Sequence, residues 1–193
     1  TSESTVDEIN TFHTNSSKLP NGTLPPSVKA TISIEEAVTF SNIIVISVPT
    51  KVLREVLKKV NNVINTKKLF VNTSKGLEPN TFYRVSEVVY QEINSDYIEG
   101  FVALTGPSHA EEVVLKLLTT ICSVSENKNH ARLVQSLFNN KSYFRVYTGN
   151  DLLGSEICSA LKNVFAIASG MLTGIGAGDN ARAGLISRAL VEM

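Results

Sequence analysis

The sequence predicts an α/β fold, a doubly wound sheet followed by a helical C-terminal segment. Three observations predict it. Strand-like and helix-like segments alternate three times between residues 42 and 104, at lengths that suit βαβ units. The run Asn42 to Val48 (NIIVISV) is continuous and β-branched, the pattern of a strand buried on both faces of a parallel sheet. From Ile157 to Gly178 there is a single charged side chain, Lys162, and apolar residues recur at helical spacing.

The elements follow in order. Residues 5–12 read as a helix, and 15–27, rich in Pro, Gly and Ser, as a loop. Val28 to Thr31 reads as a short strand. Ser33 is expected to cap a helix with Glu35 and Glu36 in its first turn. Pro49 ends the Asn42 strand, and Thr50 is expected to cap a helix to about Val60. Lys68 to Asn72 forms the next strand, a helix lies near Thr81–Glu92, and Phe101–Leu104 is the third strand. Strands at 119–124 and 143–148 flank a helix around His130–Phe138. Asp151 is a natural N-cap for the last long helix, with Glu156 near its positive end. Leu153, Ile157, Leu161, Val164 and Ala168 make a stripe expected to face a core. Ser155, Ser159 and Lys162 make a polar stripe, with Asn163 on its margin.

Composition narrows the function classes. A chain of 193 residues holds one medium domain, or one and a fraction. Lys plus Arg and Asp plus Glu both number 18, so no basic bias argues for nucleic acid. Cys122 and Cys158 sit in apolar runs and read as buried thiols of a cytoplasmic protein, neither a disulfide nor a metal pair. His13, His109 and His130 lack metal-ligand spacing. No secretory signal opens the chain. A membrane span is disfavoured, because only short apolar runs flank Lys162 and glycines follow at 170, 174, 176 and 178. The chain starts at Thr1 without Met and stops at Met193 within a helical pattern, so it reads as an internal fragment.

Ligands of doubly wound sheets sit outside the carboxyl ends of the strands. Three polar motifs fall there: Pro49-Thr50, Ser74-Lys75-Gly76 and Gly106-Pro107-Ser108. Each alone is ordinary turn chemistry; three at one sheet edge, with a lysine, point to a site. Lys162 has two readings: an ammonium that snorkels past its own methylenes to water, or a desolvated amine with a lowered pKa, ready for proton transfer. The G-x-G-x-x-G turn that grips a dinucleotide pyrophosphate occurs nowhere between a strand and a helix. Gly174, Gly176 and Gly178 follow a helix instead.

The residues carry a family resemblance. G-x-E-x-x-x-A-L-K-N-V-x-A-I-A-x-G at 154–170 and G-x-G-x-G-D-N-A-R-A-x-L-I-x-R at 174–188 resemble the bacterial NAD(P)-dependent glycerol-3-phosphate dehydrogenases. V-P-T-K at 48–51, S-K-G-L-E-P at 74–79, G-P-S-H-A-E-E-V at 106–113 and F-R-V-Y at 144–147 agree in order. The resemblance implies a partial Rossmann-like sheet over 1–150, the remainder of a dinucleotide-binding domain without its first two strands. It implies the start of an all-helical substrate domain over 151–193. It also implies an oxidoreductase of glycerophospholipid synthesis that interconverts dihydroxyacetone phosphate and sn-glycerol 3-phosphate with NAD or NADP, in a family commonly dimeric. Lys162 matches the catalytic lysine, donor in reduction and base in oxidation. Lys75 matches a lysine touching substrate and cofactor. Gly106 and Ser108 match substrate contacts, and Ala110 a cofactor contact. Val48 and Pro49 would line the cofactor groove, and Asn163 would orient the substrate site.

Some residues depart from the family pattern. Cys158 and Ser159 stand where Gly-Gly is usual, Lys18 stands where a loop tyrosine is usual, Leu118 replaces a proline, and Ala189 replaces a glycine. Two other readings remain beside the dehydrogenase. One is a noncatalytic phosphate-binding or assembly module of the same fold. The other is a relative among hydroxyacid and sugar-nucleotide dehydrogenases, against which the G-P-S-H-A-E-E block argues.

Overall fold

The computed structural model describes residues 2–193. Helix α1 (Glu3–Phe12) starts on a Ser2 cap, and α2 (Ile34–Phe40) starts on Ser33, whose hydroxyl accepts from the Glu36 amide at 3.2 Å. Strand β1 (Ile43–Ile46), helix α3 (Thr50–Asn61), strand β2 (Lys68–Asn72) and helix α4 (Val85–Glu92) follow. A 3-10 turn (Ser95–Tyr97) leads to β3 (Ile98–Thr105), α5 (Ala110–Val114), β4 (Thr119–Val124), α6 (Lys128–Phe138) and β5 (Phe144–Gly149). Helices α7 (Leu152–Gly174) and α8 (Gly178–Glu192) complete the order.

The five strands form one sheet in sequence order. β1, β2 and β3 run parallel, β4 pairs antiparallel with β3, and β5 runs parallel to β4. Alternation along a strand sends neighbouring side chains to opposite faces. Phe70, Phe101 and Ala103 therefore join Leu53, Leu57, Val85, Val88 and Val89 of α3 and α4 in one core. Leu69, Val71, Val102 and Leu104 join Val134 of α6 and Val146 of β5 in the other. Helices on both faces make the sheet doubly wound, as the sequence predicts. Only its β4–β5 half reverses direction.

Several local expectations are corrected. Residues 28–31 form no strand. The Asn10 side chain donates to the Ala30 carbonyl at 2.9 Å and accepts its N–H at 2.8 Å, occupying the groups a strand partner would need. The Asn42–Val48 run is not buried on both faces: β1 stands at the sheet edge and Val45 is 46% exposed. The N-cap of α3 is Pro49 and not Thr50, which is the first helical residue. The helix expected from Thr81 begins at Val85, because Phe82 takes a positive φ of 58° that no helix continues. Cys122 is exposed and Cys158 half-buried, so neither is a buried thiol.

The largest correction concerns α7. Asp151 caps it as expected, accepting from the Gly154 amide at 2.8 Å. Yet Leu153, Leu161 and Val164 face outward, and Leu152 and Glu156 are the buried residues of the helix. Its first turn is seated on α4 and β3, and among the described residues α8 is the element it packs against most extensively. By length and composition α7 would suffice to cross a membrane.

Candidate functional site

The site is assembled from the loops at the carboxyl ends of β1, β2 and β3 and from the first turns of α7. β1 ends on Ile46, whose carbonyl accepts from the Thr73 amide and hydroxyl, both at 2.9 Å. The Ser74 hydroxyl donates to the Val48 carbonyl at 2.7 Å and accepts the Val48 amide at 3.2 Å. Asn72, buried at the end of β2, accepts the Ser74 amide at 2.8 Å. One serine therefore sews the Val48–Pro49 edge to the loop that carries Lys75. Further along that loop, Glu78 is held by both arms of the Arg54 guanidinium at 2.8 Å. This ion pair and its hydrogen bonds keep the Glu78 carboxyl below its usual range.

After β3 the chain turns at Gly106, whose φ is +155°. A Cβ here would lie 2.8 Å from the Ile121 Cα on β4, so the turn needs both the conformation and the missing side chain of glycine. Ser108 sits in the same turn, and Ala110 opens α5.

Two adjoining cavities meet at this edge. One, of about 240 Å³, is lined by Ser74, Lys75, Gly106, Ser108 and Ala110. The other, of about 480 Å³, is lined by Gly106, Cys122, Asp151, Cys158 and Lys162. Thr105, Gly106 and Ser159 belong to both walls. Lys162 is half-buried, and its pKa is lowered first by burial and second by the Lys75 charge. Partial burial beside a second ammonium is the setting in which a lysine can exchange a proton near neutrality. Two cations beside mostly apolar walls that carry the Ser74, Thr105, Ser108 and Ser159 hydroxyls suit a small anionic ligand that needs a proton.

Most of the sequence-predicted residues fall at this edge, and one does not. Lys75, Gly106, Ser108, Ala110 and Lys162 line the cavities; Val48 and Pro49 adjoin them through Ser74. Asn163 is exposed and lines neither cavity. Thr105 lines both cavities although no motif singled it out, and Ser159, placed by sequence in the polar stripe with Lys162, lines both as well. Their signal was present, since both lie within three residues of a motif lysine or glycine.

The residues present fit part of a nicotinamide dinucleotide. Pro49 gives the N-terminus of α3 no side-chain acceptor, and no acidic residue occupies the first turn of that helix. Its positive end beside Val48 and Pro49 is thus left to a polar or anionic group at the sheet edge. No glycine-rich strand–helix turn for the pyrophosphate occurs within the 193 residues.

Comparison with known proteins bears on the family and the fold. Residues 1–131 match the family described as NAD-dependent glycerol-3-phosphate dehydrogenase N-terminus, and 151–193 match its C-terminus. A glycerol-3-phosphate dehydrogenase [NAD(P)+] of Macrococcus caseolyticus is 47% identical over 99% of this chain and 57% of its own length. One of Bacillus pumilus is 48% identical over 97% of this chain and 54% of its own. The chain thus spans little more than half the length of the curated relatives it matches. The crystal structure of glycerol-3-phosphate dehydrogenase from Coxiella burnetii superposes with a TM-score of 0.85 at 32% identity, covering 98% of this chain and 57% of that one.

Proposed function

The chain belongs to the NAD-dependent glycerol-3-phosphate dehydrogenase family, and from that premise we propose that the protein interconverts dihydroxyacetone phosphate and sn-glycerol 3-phosphate with NAD or NADP. The observation that carries the reading is the meeting of Lys75 and Lys162 at adjoining cavities with a shared Gly106 wall. When bound, the reduced nicotinamide supplies a hydride to the carbonyl carbon. Lys162 donates a proton to the carbonyl oxygen as negative charge grows there, and takes it back in the oxidative direction. Lys75 offsets the alkoxide and the substrate phosphate from the neighbouring wall. The Gly106–Ser108 turn would hold the substrate, while Val48, Pro49 and Ala110 would hold the nicotinamide. A cytoplasmic homodimer serving glycerophospholipid synthesis completes the proposal.

The test is turnover by a polypeptide of the relatives' full length that carries these 193 residues. Reduction of dihydroxyacetone phosphate should consume NADH or NADPH, and Lys162→Met should lower kcat by about 10²–10⁴ while leaving cofactor affinity nearly unchanged. Methionine keeps most of the lysine volume and removes its proton and charge. A kcat within a factor of about three of the parent would remove Lys162 from the chemistry.

A further inference from the structure

Glu156 is a buried carboxylate that the proposed chemistry does not use. It lies in the second turn of α7 but serves another helix. The N-cap of α4 is Arg84, which gives its own helix no side-chain cap hydrogen bond to spare for Ser86. Glu156 accepts the Ser86 amide at 3.0 Å and the Ser86 hydroxyl at 2.5 Å, and the Arg84 guanidinium stands at 3.4 Å. A carboxylate from residue 156 thus fills an open donor in the first turn of a helix that begins at Val85, and its charge meets the positive end of that helix.

We propose that Glu156 is a positioning residue: its docking onto the first turn of α4 sets where Lys162 stands relative to Lys75. The two other attachments of this end of α7 are less directional. Leu152 packs in the α3–α4 core, and the Ser155 and Thr105 hydroxyls meet at 3.2 Å. An apolar contact holds a helix down without fixing its rotation. Three charge-assisted contacts to one carboxylate fix rotation and depth together. Lys162 follows six residues later, about 9 Å along the helix axis. Beyond Glu156 no α7 side chain is fully buried; the Cys158 thiol donates to the Met193 carbonyl at the end of α8 at 3.3 Å, so the lysine takes its depth against the sheet from the anchored turn and its lateral support from α8. Misplacing a reacting group by about 1 Å can cost about 10²-fold in rate.

The charges around each group are known. Glu156 faces Arg84, Glu87 and Tyr90 of the α4 segment, with Glu126 acting on Tyr90 from beyond β4. Lys162 shares its surroundings with Lys75 of the β2 loop, Cys122 of β4, and Asp151 and Cys158 at its own end of the chain. Burial raises the Glu156 pKa, against the pull of Ser86 and Arg84. Seating Lys162 beside Lys75 lowers its own pKa, so that value reports on the seating.

The inference rests on the dehydrogenase reading only for turnover, so the experiment has two arms. In a polypeptide of the relatives' full length that carries these 193 residues, Glu156→Ala and Glu156→Gln are compared with the parent. The first arm pulses the protein with acetic anhydride at mildly alkaline pH and quantifies acetylated Lys162 by peptide mass spectrometry, with no substrate present. In Glu156→Ala the lysine regains water and distance from Lys75, its pKa rises, and labelling falls several-fold; Glu156→Gln, which still accepts from Ser86, stays close to the parent. In the second arm, kcat for dihydroxyacetone phosphate falls about 10–10²-fold in Glu156→Ala with the cofactor KM unchanged, and Gln restores most of it. If Glu156→Ala lowers Tm but leaves Lys162 labelling and kcat within about twofold, Glu156 only holds the fold and the inference is overturned. A parent that labels as expected yet never reduces dihydroxyacetone phosphate sinks the proposed function and leaves the first arm to decide the inference. Should Glu156→Ala not fold, Ser86→Ala removes one donor and keeps the backbone N–H; unchanged labelling there overturns the inference equally.

Discussion

Lys162 and Lys75 repel each other across the shared wall of their cavities, and the sign of that repulsion sets a pH profile. Burial and the Lys75 charge both favour the neutral form of Lys162, so its pKa lies below the ordinary lysine value. Reduction needs the ammonium form, so kcat/KM for dihydroxyacetone phosphate should fall as pH rises through that lowered pKa. Oxidation needs the free amine and should rise over the same range. Lys75→Ala removes the charge but not the burial. The limb should therefore move to higher pH without reaching the ordinary lysine value. The same variant should raise the substrate KM and lower kcat together, measured at saturating cofactor. A raised cofactor KM with an unmoved substrate KM would take Lys75 out of the substrate site.

At this scale the sequence showed the lysines and glycines but not which way side chains point. Lys162 and Asn163 are neighbours in a motif, yet a step of about 100° around the helix sends one into the cavity and the other to solvent. Glu156 read as a partner of its own helix dipole; it partners α4, seventy residues earlier in the chain. Nothing local to residues 154–158 signals a contact of that sequence separation.

Elements were legible where the signal was local. β2, β4 and β5 fall where their apolar runs predict, and Ser33 and Asp151 cap as their chemistry requires. Expectation failed where a distant side chain intervened, as Asn10 does at Ala30, or where a positive φ broke a helical pattern, as Phe82 does. The turn after β3 is the element with the least tolerance. Gly106→Ala would demand a strained φ and press a Cβ against the β4 backbone. Folding stability should drop by about 1–3 kcal/mol in chemical denaturation. The substrate KM should rise as well, since Gly106 walls both cavities. A variant with parental stability would mean that β4 yields without cost and that the turn is not rigid.

The scale of the whole molecule explains why the α7 stripe was read as core. Leu153, Leu161 and Val164 have helical spacing, but among the described residues they stay exposed, with α8 the main element beside α7. Ile167, Met171, Ile175, Leu190 and Val191 are exposed with them, and β1 leaves Val45 open at the opposite end. Periodicity reports that a face is apolar; it does not report what covers it. The same scale governs what these 193 residues do when expressed alone. The pyrophosphate of a dinucleotide is normally gripped by backbone N–H groups of a glycine-rich turn and the helix that follows it. No such turn is present, and the α3 N-terminus beside Val48 and Pro49 offers a single polar end in its place. The isolated 193-residue polypeptide should therefore quench no NADH fluorescence at micromolar cofactor and show no reduction of dihydroxyacetone phosphate. Its uncovered α7–α8 face should bind a hydrophobic dye such as ANS. Turnover by the isolated polypeptide, purified from a host lacking its own glycerol-3-phosphate dehydrogenase, would show that the Lys75–Lys162 edge holds the cofactor without the glycine turn.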